Sequence, residues 1–540
     1  MKKRVLSLLM AALMCTAVFA GCTKGTTTSS TASTESAASQ TAEKDELGKD
    51  FVGYPMKSDE ELTFNCLINY AYAVPDGVDR NDNEWNKKLA EKVGVKIKWE
   101  SLPTGGDPDQ AYNLMISSAD LPDIFYYQNM TNKVTQLIQD KKILALNDYL
   151  ETYAPAYYKT ITASEARDKA LKDDNGDYYG FAFLREDLFL GTYAGQIVRK
   201  DLLAKVGMEV PTTIDDWDKV LRAFKDQNLV KYPLSSRGGL YDLDYQFRGA
   251  YGSTFNFYVD DDNKVQYGFA QAGYKDYLAQ LKAWNDAGLV DPDFLSNDAA
   301  ALETKILNGE VGTCFSTGGT VAGYMTKLEA TGSKDEWVAA PYAVMNKGDT
   351  PQFIQGETDN IGLMAMITTS CKNIPLACRL LDYGYTKEGM VFFNYGEEGV
   401  SFEYKDGVPF FTDAFKTDPR GSVTMMQTYT GMDGNAATCN MMAQFKSKPQ
   451  IQQDSVNTWY VESALKHLLP GSITMTTEES TSIANEMTAM QSYVDESVAK
   501  FVLGQKSLDE YDAYLADLKG MGLEHVLQVY QTAYDRFLAR

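Results

Sequence analysis

The feature that most constrains this chain is a βαβ unit at the start of its folded body. LTFNCLI (62–68) is an apolar run of strand length. A polar loop, NYAYAVPDGVDRND, follows, and then NEWNKKLAEKV places Trp85, Leu89 and Val93 four residues apart on one helical face. Gly94 stops that helix, and VKIKW alternates Val95, Ile97 and Trp99 with lysines as a half-buried strand. Such units build open α/β sheets, in which ligands bind beyond the carboxyl ends of the strands. The 69–82 loop lies on that rim.

A second unit repeats the logic. AYNLMISSADLP leads into the apolar strand PDIFYY (122–127), so the amides of Gln128 and Asn129 are expected on the same rim, before the helix NKVTQLIQDKK. Farther along, Thr213 caps a helix with Asp216 three residues on. Trp217, Val220, Leu221 and Phe224 then recur at i, i+3, i+4 and i+7, which assigns Trp217 to the core. Trp284, aligned with Tyr274, Tyr277 and Leu281, is assigned likewise. RGGLYDLDYQFRG (237–249) has glycines and no helical period and is expected to be a loop. VDDDNKV (259–265) reads as a hairpin turn and DDNGD (173–177) as a turn before a strand. The last 60 or so residues read as helices, including SLDEYDAYLADLK and LEHVLQVYQTAYDRFL.

The N-terminus carries an address. Lys2, Lys3 and Arg4 precede an apolar run that ends in Phe19-Ala20-Gly21-Cys22. This resembles a bacterial lipobox, with Phe19 in place of the usual leucine, and makes Cys22 the expected lipidated N-terminus after removal of residues 1–21. The run from Val5 to Gly21 falls short of the ~20 residues of a membrane span. Residues 22–52 read as the lipidated cysteine and a flexible Ser/Thr-rich linker, too poor in large apolar side chains to fold.

Composition narrows the chemistry. A chain of 540 residues needs more than one lobe. Its net charge of -23 becomes about -26 once the three signal positives are lost (-23 minus 3), which speaks against nucleic acid as a partner. The only two histidines, His467 and His525, have no ligand-type neighbour at i+4, so zinc sites and Ser-His-Asp triads lack material. Five of seven cysteines remain beyond Cys15 and Cys22, an odd number without framework spacing, and are expected as small buried thiols.

Several segments, taken in order, resemble the family 1 extracellular solute-binding lipoproteins of carbohydrate ABC transporters of the Gram-positive type. They are YNLMISSADLPDIFYY, DYYGFAF, IVRKDLLAKVGMEVPTTIDDWDKVLRAFK, YKDYLAQLKAWNDAGLVDPDF, KILNGEVGT, LDYGYTKEGMVFFNYGEEGVSFEYKDGVPFFTD and AYDRFL. The resemblance implies an α/β, two-lobed type II periplasmic-binding-protein fold with hinge-crossing strands and a helical C-terminus. It implies crossings near 180–195, 355–365 and 395–405, with 53–190 and 362–400 in lobe 1 and 191–361 and 401–540 in lobe 2. Some relatives carry a calcium loop where this chain has KDQNLVKYPLSS (225–236). That segment lacks the alternating Asp/Asn oxygens and the glycine, so no metal and no cofactor are expected.

Sugar recognition needs aromatic faces and planar polar groups on loops at a cleft. The candidates in lobe 1 are Tyr72, Asn81, Asp82, Gln128 and Asn129, with a solvated Asn/Asp turn as the other reading of Asn81 and Asp82. Arg185, Glu186 and Tyr193 stand near the first crossing, where an Arg–Glu pair also reads as a plain salt bridge. Lobe 2 offers Arg237, Tyr241, Arg248, Gly318 and Gly319, and Glu357 stands at the second crossing. The leading expectation is a monomeric, non-catalytic receptor, tethered by Cys22 to the outer face of the cell membrane, that hands a saccharide to permease subunits. A surface glycosidase or lyase, which needs two carboxylates at a set separation, and a ligand sensor for a membrane kinase are the competing readings. No phosphate-binding G-x-x-x-x-G-K-[ST] loop is present.

Overall fold

The computed structural model describes residues 45–66, 74–75, 77–101, 114–118, 121–129, 134–185, 188–357, 360–431, 436–439, 445–446 and 448–540. The signal, Cys22, Tyr72 and Glu186 lie outside the described residues. Strands β1 (Glu61–Cys66), β2 (Lys96–Ser101), β3 (Ile124–Asn129), β4 (Phe181–Arg185) and β5 (Ala194–Arg199) come first. Then come β6 (Tyr232–Leu234), β7 (Phe257–Val259), β8 (Val265–Tyr267), β9 (Val311–Thr317) and β10 (Trp337–Ala339). The last are β11 (Asn360–Ile367), β12 (Phe402–Lys405), β13 (Val408–Phe411) and β14 (Thr438–Cys439).

The expected βαβ unit forms. β1 pairs in parallel with β2, in a register from Glu61 with Lys96 to Cys66 with Ser101. The helix Glu84–Val93 joins them, buries Trp85, Leu89 and Val93, and ends on Gly94 at φ 74°. A left-handed residue there costs glycine little and any other residue more. One sheet has the order β14-β4-β11-β3-β1-β2. β11 runs antiparallel to both β3 and β4, whereas β14 runs parallel to β4. Hence β1, β2, β3, β4 and β14 all end at the edge where β11 begins. A second sheet, β10-β5-β9-β6, has β5 antiparallel to β9 and β6 parallel to β9.

The chain leaves the first sheet after Arg185 and enters the second at Ala194, then returns into β11 at Asn360. The third passage corrects the expectation. Residues 401–431 and 436–439 stay with the first lobe, because β14 pairs with β4 and the β12–β13 hairpin buries Phe402 and Phe411 against Tyr395. That hairpin follows the helix Lys387–Tyr395 directly, and short connections keep neighbours in sequence adjacent in space. The crossing lies between Cys439 and the helix Gln450–Trp459, whose Trp459 indole donates to the Gln196 carbonyl of β5 at 3.2 Å.

The core of the second lobe is built as the periodicity predicts. Trp217 and Trp284 are fully buried on either side of Phe247, at centroid distances of 5.5 and 5.0 Å. Thr213 and Asp216 form the reciprocal cap of the helix Ile214–Asp226. The C-terminal helices Thr477–Val502, Tyr511–Gly520 and Leu523–Ala539 add Met490, Val494, Phe501, Tyr514 and Val526 to the same core. The acidic turn at 173–177 does more than turn. Arg536 of the last helix and Arg540, just past its end, both pair with Asp174, at 2.9 and 2.6 Å, and tie the C-terminus to the first lobe.

Candidate functional site

The two sheets present their strand ends to the crossing segments. Ala194 of β5 pairs with Thr317, the last residue of β9, and the Gly318 amide donates to the Tyr193 carbonyl. Asn360 of β11 pairs with Leu184 of β4. The residues between sheets at this edge are therefore Arg185, Gly191 to Tyr193, and Gln355 to Glu357.

Gln355 fastens the two crossings together. Its Oε1 accepts from the amides of Tyr193 and Ala194 at 2.8 and 3.1 Å, and its Nε2 donates to the Gly191 carbonyl at 3.1 Å. Its own amide donates to the Tyr342 hydroxyl, which donates to the Ala194 carbonyl. The backbones touch: a Cβ on Gly191 would stand 2.7 Å from the Glu357 carbonyl oxygen, so only glycine fits.

On this frame Glu357 joins the lobes. The Tyr193 hydroxyl donates to its Oε1 at 2.7 Å, and Arg185 Nη1 stands 2.8 Å from its Oε2. The Arg185 contact is an ion pair too oblique to be a hydrogen bond, and the buried Nε of Arg185 has no hydrogen-bond partner. Burial, followed by the Glu357 charge, pushes the Tyr193 phenol well above its ordinary value and keeps it a donor.

An aromatic wall continues along the second lobe. Tyr241 packs edge-on against Tyr245 at 4.8 Å, and Tyr245 stacks on Phe315 of β9 at 5.8 Å. Tyr193 and Tyr241 remain 40% and 43% exposed, so their rings are open to a ligand. The expected loop at 237–249 is a helix over Leu240–Phe247, launched from Gly238 and Gly239 at φ 72° and 73°. Leu243 and Phe247, four residues apart, bury in the core and stabilise it against its glycine- and aspartate-rich start.

The other predicted residues take different places. Arg248 is not at the cleft: it is wholly buried, paired with Asp244 at 2.5 Å and packed against the rings of Phe269 and Tyr274. Burial pushes the Asp244 carboxyl up, against the pull of Arg248. Arg237 is half-buried, and its amide donates to Asp242, whose carboxyl is pushed up to about 7 by burial. Asn81 spends its amide on the β2 edge, accepting from the Trp99 amide at 2.8 Å and donating to the Trp99 carbonyl at 2.9 Å. Asp82 is exposed and pairs with Lys87 at 3.5 Å. Gly318 begins the helix Gly318–Ala330 and is covered by Gln452, whereas Gly319 is exposed. Gln128 and Asn129 are the last two residues of β3, inside the strand and not after it, opposite Met364 and Leu363.

Residues missed by pattern are Gln355, Tyr245 and Phe315. Gln355 opens the expected 355–365 crossing as a polar residue beside glycine, but no spacing rule marks its partners. At 225–236 a short turn through Asn228 leads from the helix into β6. Among the described residues no three His, Cys, Asp or Glu side chains group to hold a metal ion. Cys314, Cys371, Cys378 and Cys439 are buried, as expected.

Comparison with known proteins follows the same lines. The chain is 23% identical over 539 residues to the fructooligosaccharide ABC transporter substrate-binding protein FusA of Streptococcus pneumoniae serotype 4, covering 92% of this chain and 94% of that one. It is 24% identical over 339 residues to lipoprotein LipO of Bacillus subtilis, covering 60% of this chain and 64% of the relative. Its fold is similar to an extracellular solute-binding protein from Bifidobacterium longum subsp. infantis, with a TM-score of 0.73 at 17% identity over 88% of this chain and 98% of that one. The match over residues 78–391, more than half the chain, shows that it belongs to the bacterial extracellular solute-binding protein family.

Proposed function

We propose that this protein is a lipid-anchored receptor on the outer face of the cell membrane that captures an oligosaccharide between its lobes and delivers it to the permease subunits of an ABC transporter. The observation that carries the reading is the pairing of open tyrosine faces with a planar polar cluster. Tyr193 and Tyr241 offer rings for the C–H face of a sugar, and Arg185 and Glu357 beside them offer groups for paired hydroxyls. Both lobes contribute, since Arg185 ends β4 and Tyr193 precedes β5, so lobe closure by a hinge would trap the ligand. Gln128 and Asn129 at the end of β3, Arg237 and Gly319 on the second lobe, and Tyr72 and Glu186, which follow β1 and β4 in sequence, complete the proposed contact set.

The relatives support the ligand class: FusA is named for a fructooligosaccharide, and LipO is a lipoprotein. Lipidation at Cys22, a monomeric state and transport by a separate ATPase belong to the same reading. Glu357 faces Arg185 through one oxygen and Tyr193 through the other, and each oxygen keeps a lone pair for a ligand hydroxyl.

The test is a thermal-shift screen of the purified protein against fructo-, malto-, gluco- and manno-oligosaccharides. A ligand at a hundred times its Kd adds about 2.7 kcal/mol of stability. A shift that persists for hours with the saccharide intact is expected. A shift that decays as shorter sugars accumulate would make the protein a hydrolase or lyase, and no shift across the panel would overturn the saccharide reading.

A further inference from the structure

The wall of aromatic rings does not stop at Tyr241. Beyond it lies a pocket of about 380 Å³, between the 238–241 turn, Leu295 and the long helix Thr477–Val502. Its volume is at the lower end of the range of about 300–1,000 Å³ for small-molecule sites. Topology sets it on the same rim as the cleft. The 235–239 segment follows the end of β6, and the segment holding Leu295 follows Val290, which bridges in parallel to Leu234.

Two features make it a sugar-sized site. Tyr241 is shared: its ring meets edge-on both Tyr245 of the cleft wall and Phe255 of the pocket, the latter at 4.9 Å. Phe255 and Phe269 line the interior, and Gln491 hydrogen-bonded to Asp495 forms a polar rim opposite the exposed Leu295.

We infer that this pocket is a subsite for one terminal sugar unit of an oligosaccharide whose preceding units lie across Tyr241 and Tyr193. The inference rests on the receptor reading and deepens it. The hinge cluster grips one end of the ligand, and the pocket measures its length. Ligands too short to reach past Tyr241 leave the pocket vacant, so affinity steps up at the length that first fills it.

Isothermal titration with linear fructooligosaccharides and linear maltooligosaccharides of two to five units tests this, on the wild-type protein and on Asp495→Trp and Leu295→Trp. Both residues are exposed rim positions, so an indole there closes the mouth without entering the core. In the wild type, affinity is expected to rise at least tenfold at one added unit. Each variant should lose that step and bind the shorter ligands within twofold of wild type, with an unchanged thermal midpoint. A step that survives in both variants, or the absence of any step, would overturn the subsite and leave the receptor reading standing. Failure of these two series alone to bind the wild type would overturn the subsite, and failure of the whole thermal-shift panel would overturn the receptor reading with it.

Discussion

Replacing Gln355 by methionine isolates the fastening of the two crossings. Methionine keeps nearly the same length and volume but removes the amide. Two buried amides, of Tyr193 and Ala194, then lose their acceptor, and the Gly191 carbonyl loses its donor. Leaving a buried polar group unpaired costs roughly 1–3 kcal/mol. The half-exposed Tyr193 gives water a route to its own amide, so each loss is taken at the low end, for a total of about 3 kcal/mol. The tryptophans permit a lobe-resolved assay: Trp217, Trp284, Trp337 and Trp459 report on the second lobe, and Trp85 and Trp99 on the first. Urea unfolding followed by fluorescence should show the second-lobe transition lowered by this amount, with the exposed Gln352→Met variant unchanged as control. A loss below about 1 kcal/mol would mean that the crossings are held by packing alone and would refute the assignment.

Other consequences are as direct. Burial pushes Asp382 up to about 7, and its Oδ1 accepts from the Tyr157 amide at 2.7 Å. The folded chain therefore keeps this proton up to about pH 7 while the unfolded chain releases it near pH 4, so the group's contribution to stability falls as pH rises through that window. Asp382→Asn keeps the acceptor and removes the titration, so its unfolding free energy relative to wild type should climb from pH 4 to pH 7 and level off above; a flat difference would contradict the burial argument. A Cβ on Gly195 would stand 2.4 Å from the Trp459 ring, so Gly195→Ala should destabilise the second lobe by about 1–3 kcal/mol and perturb tryptophan emission. Asp174→Ala strips the partner from Arg540, whose side chain is only 2% exposed, and should cost about 3 kcal/mol in urea unfolding; no loss would mean that the C-terminal clamp is idle.

Long periodic elements were the legible part of this fold. Trp217 and Trp284 declared themselves core through 3.6-residue spacing, and the βαβ unit through a strand, a capped helix and an alternating strand. The third crossing was not legible, because β14 is two residues long and owes its place to pairing with β4, far away in sequence. The helix Leu240–Phe247 was hidden by its glycines, since its stability comes from Leu243 and Phe247 meeting distant partners. Arg248 looked like a free cation, yet burial became possible through Asp244 one turn earlier and two aromatic faces that only tertiary contact supplies. Arg185, Tyr193 and Glu357 were chosen for their position at the crossings, and the structure brings these three into contact. Asn81 carried the right chemistry and was already spent on the sheet edge.

The central claim is that a saccharide is held against Tyr193 beside the Arg185–Glu357 pair. The most direct measurement is isothermal titration of the tightest saccharide from the thermal-shift panel into wild-type protein and Tyr193→Ala. The account predicts saturable 1:1 binding by the wild type and affinity weakened at least tenfold, about 1.4 kcal/mol, in the variant with its fold intact. Equal affinity in the two proteins would contradict it and move the binding site away from the hinge.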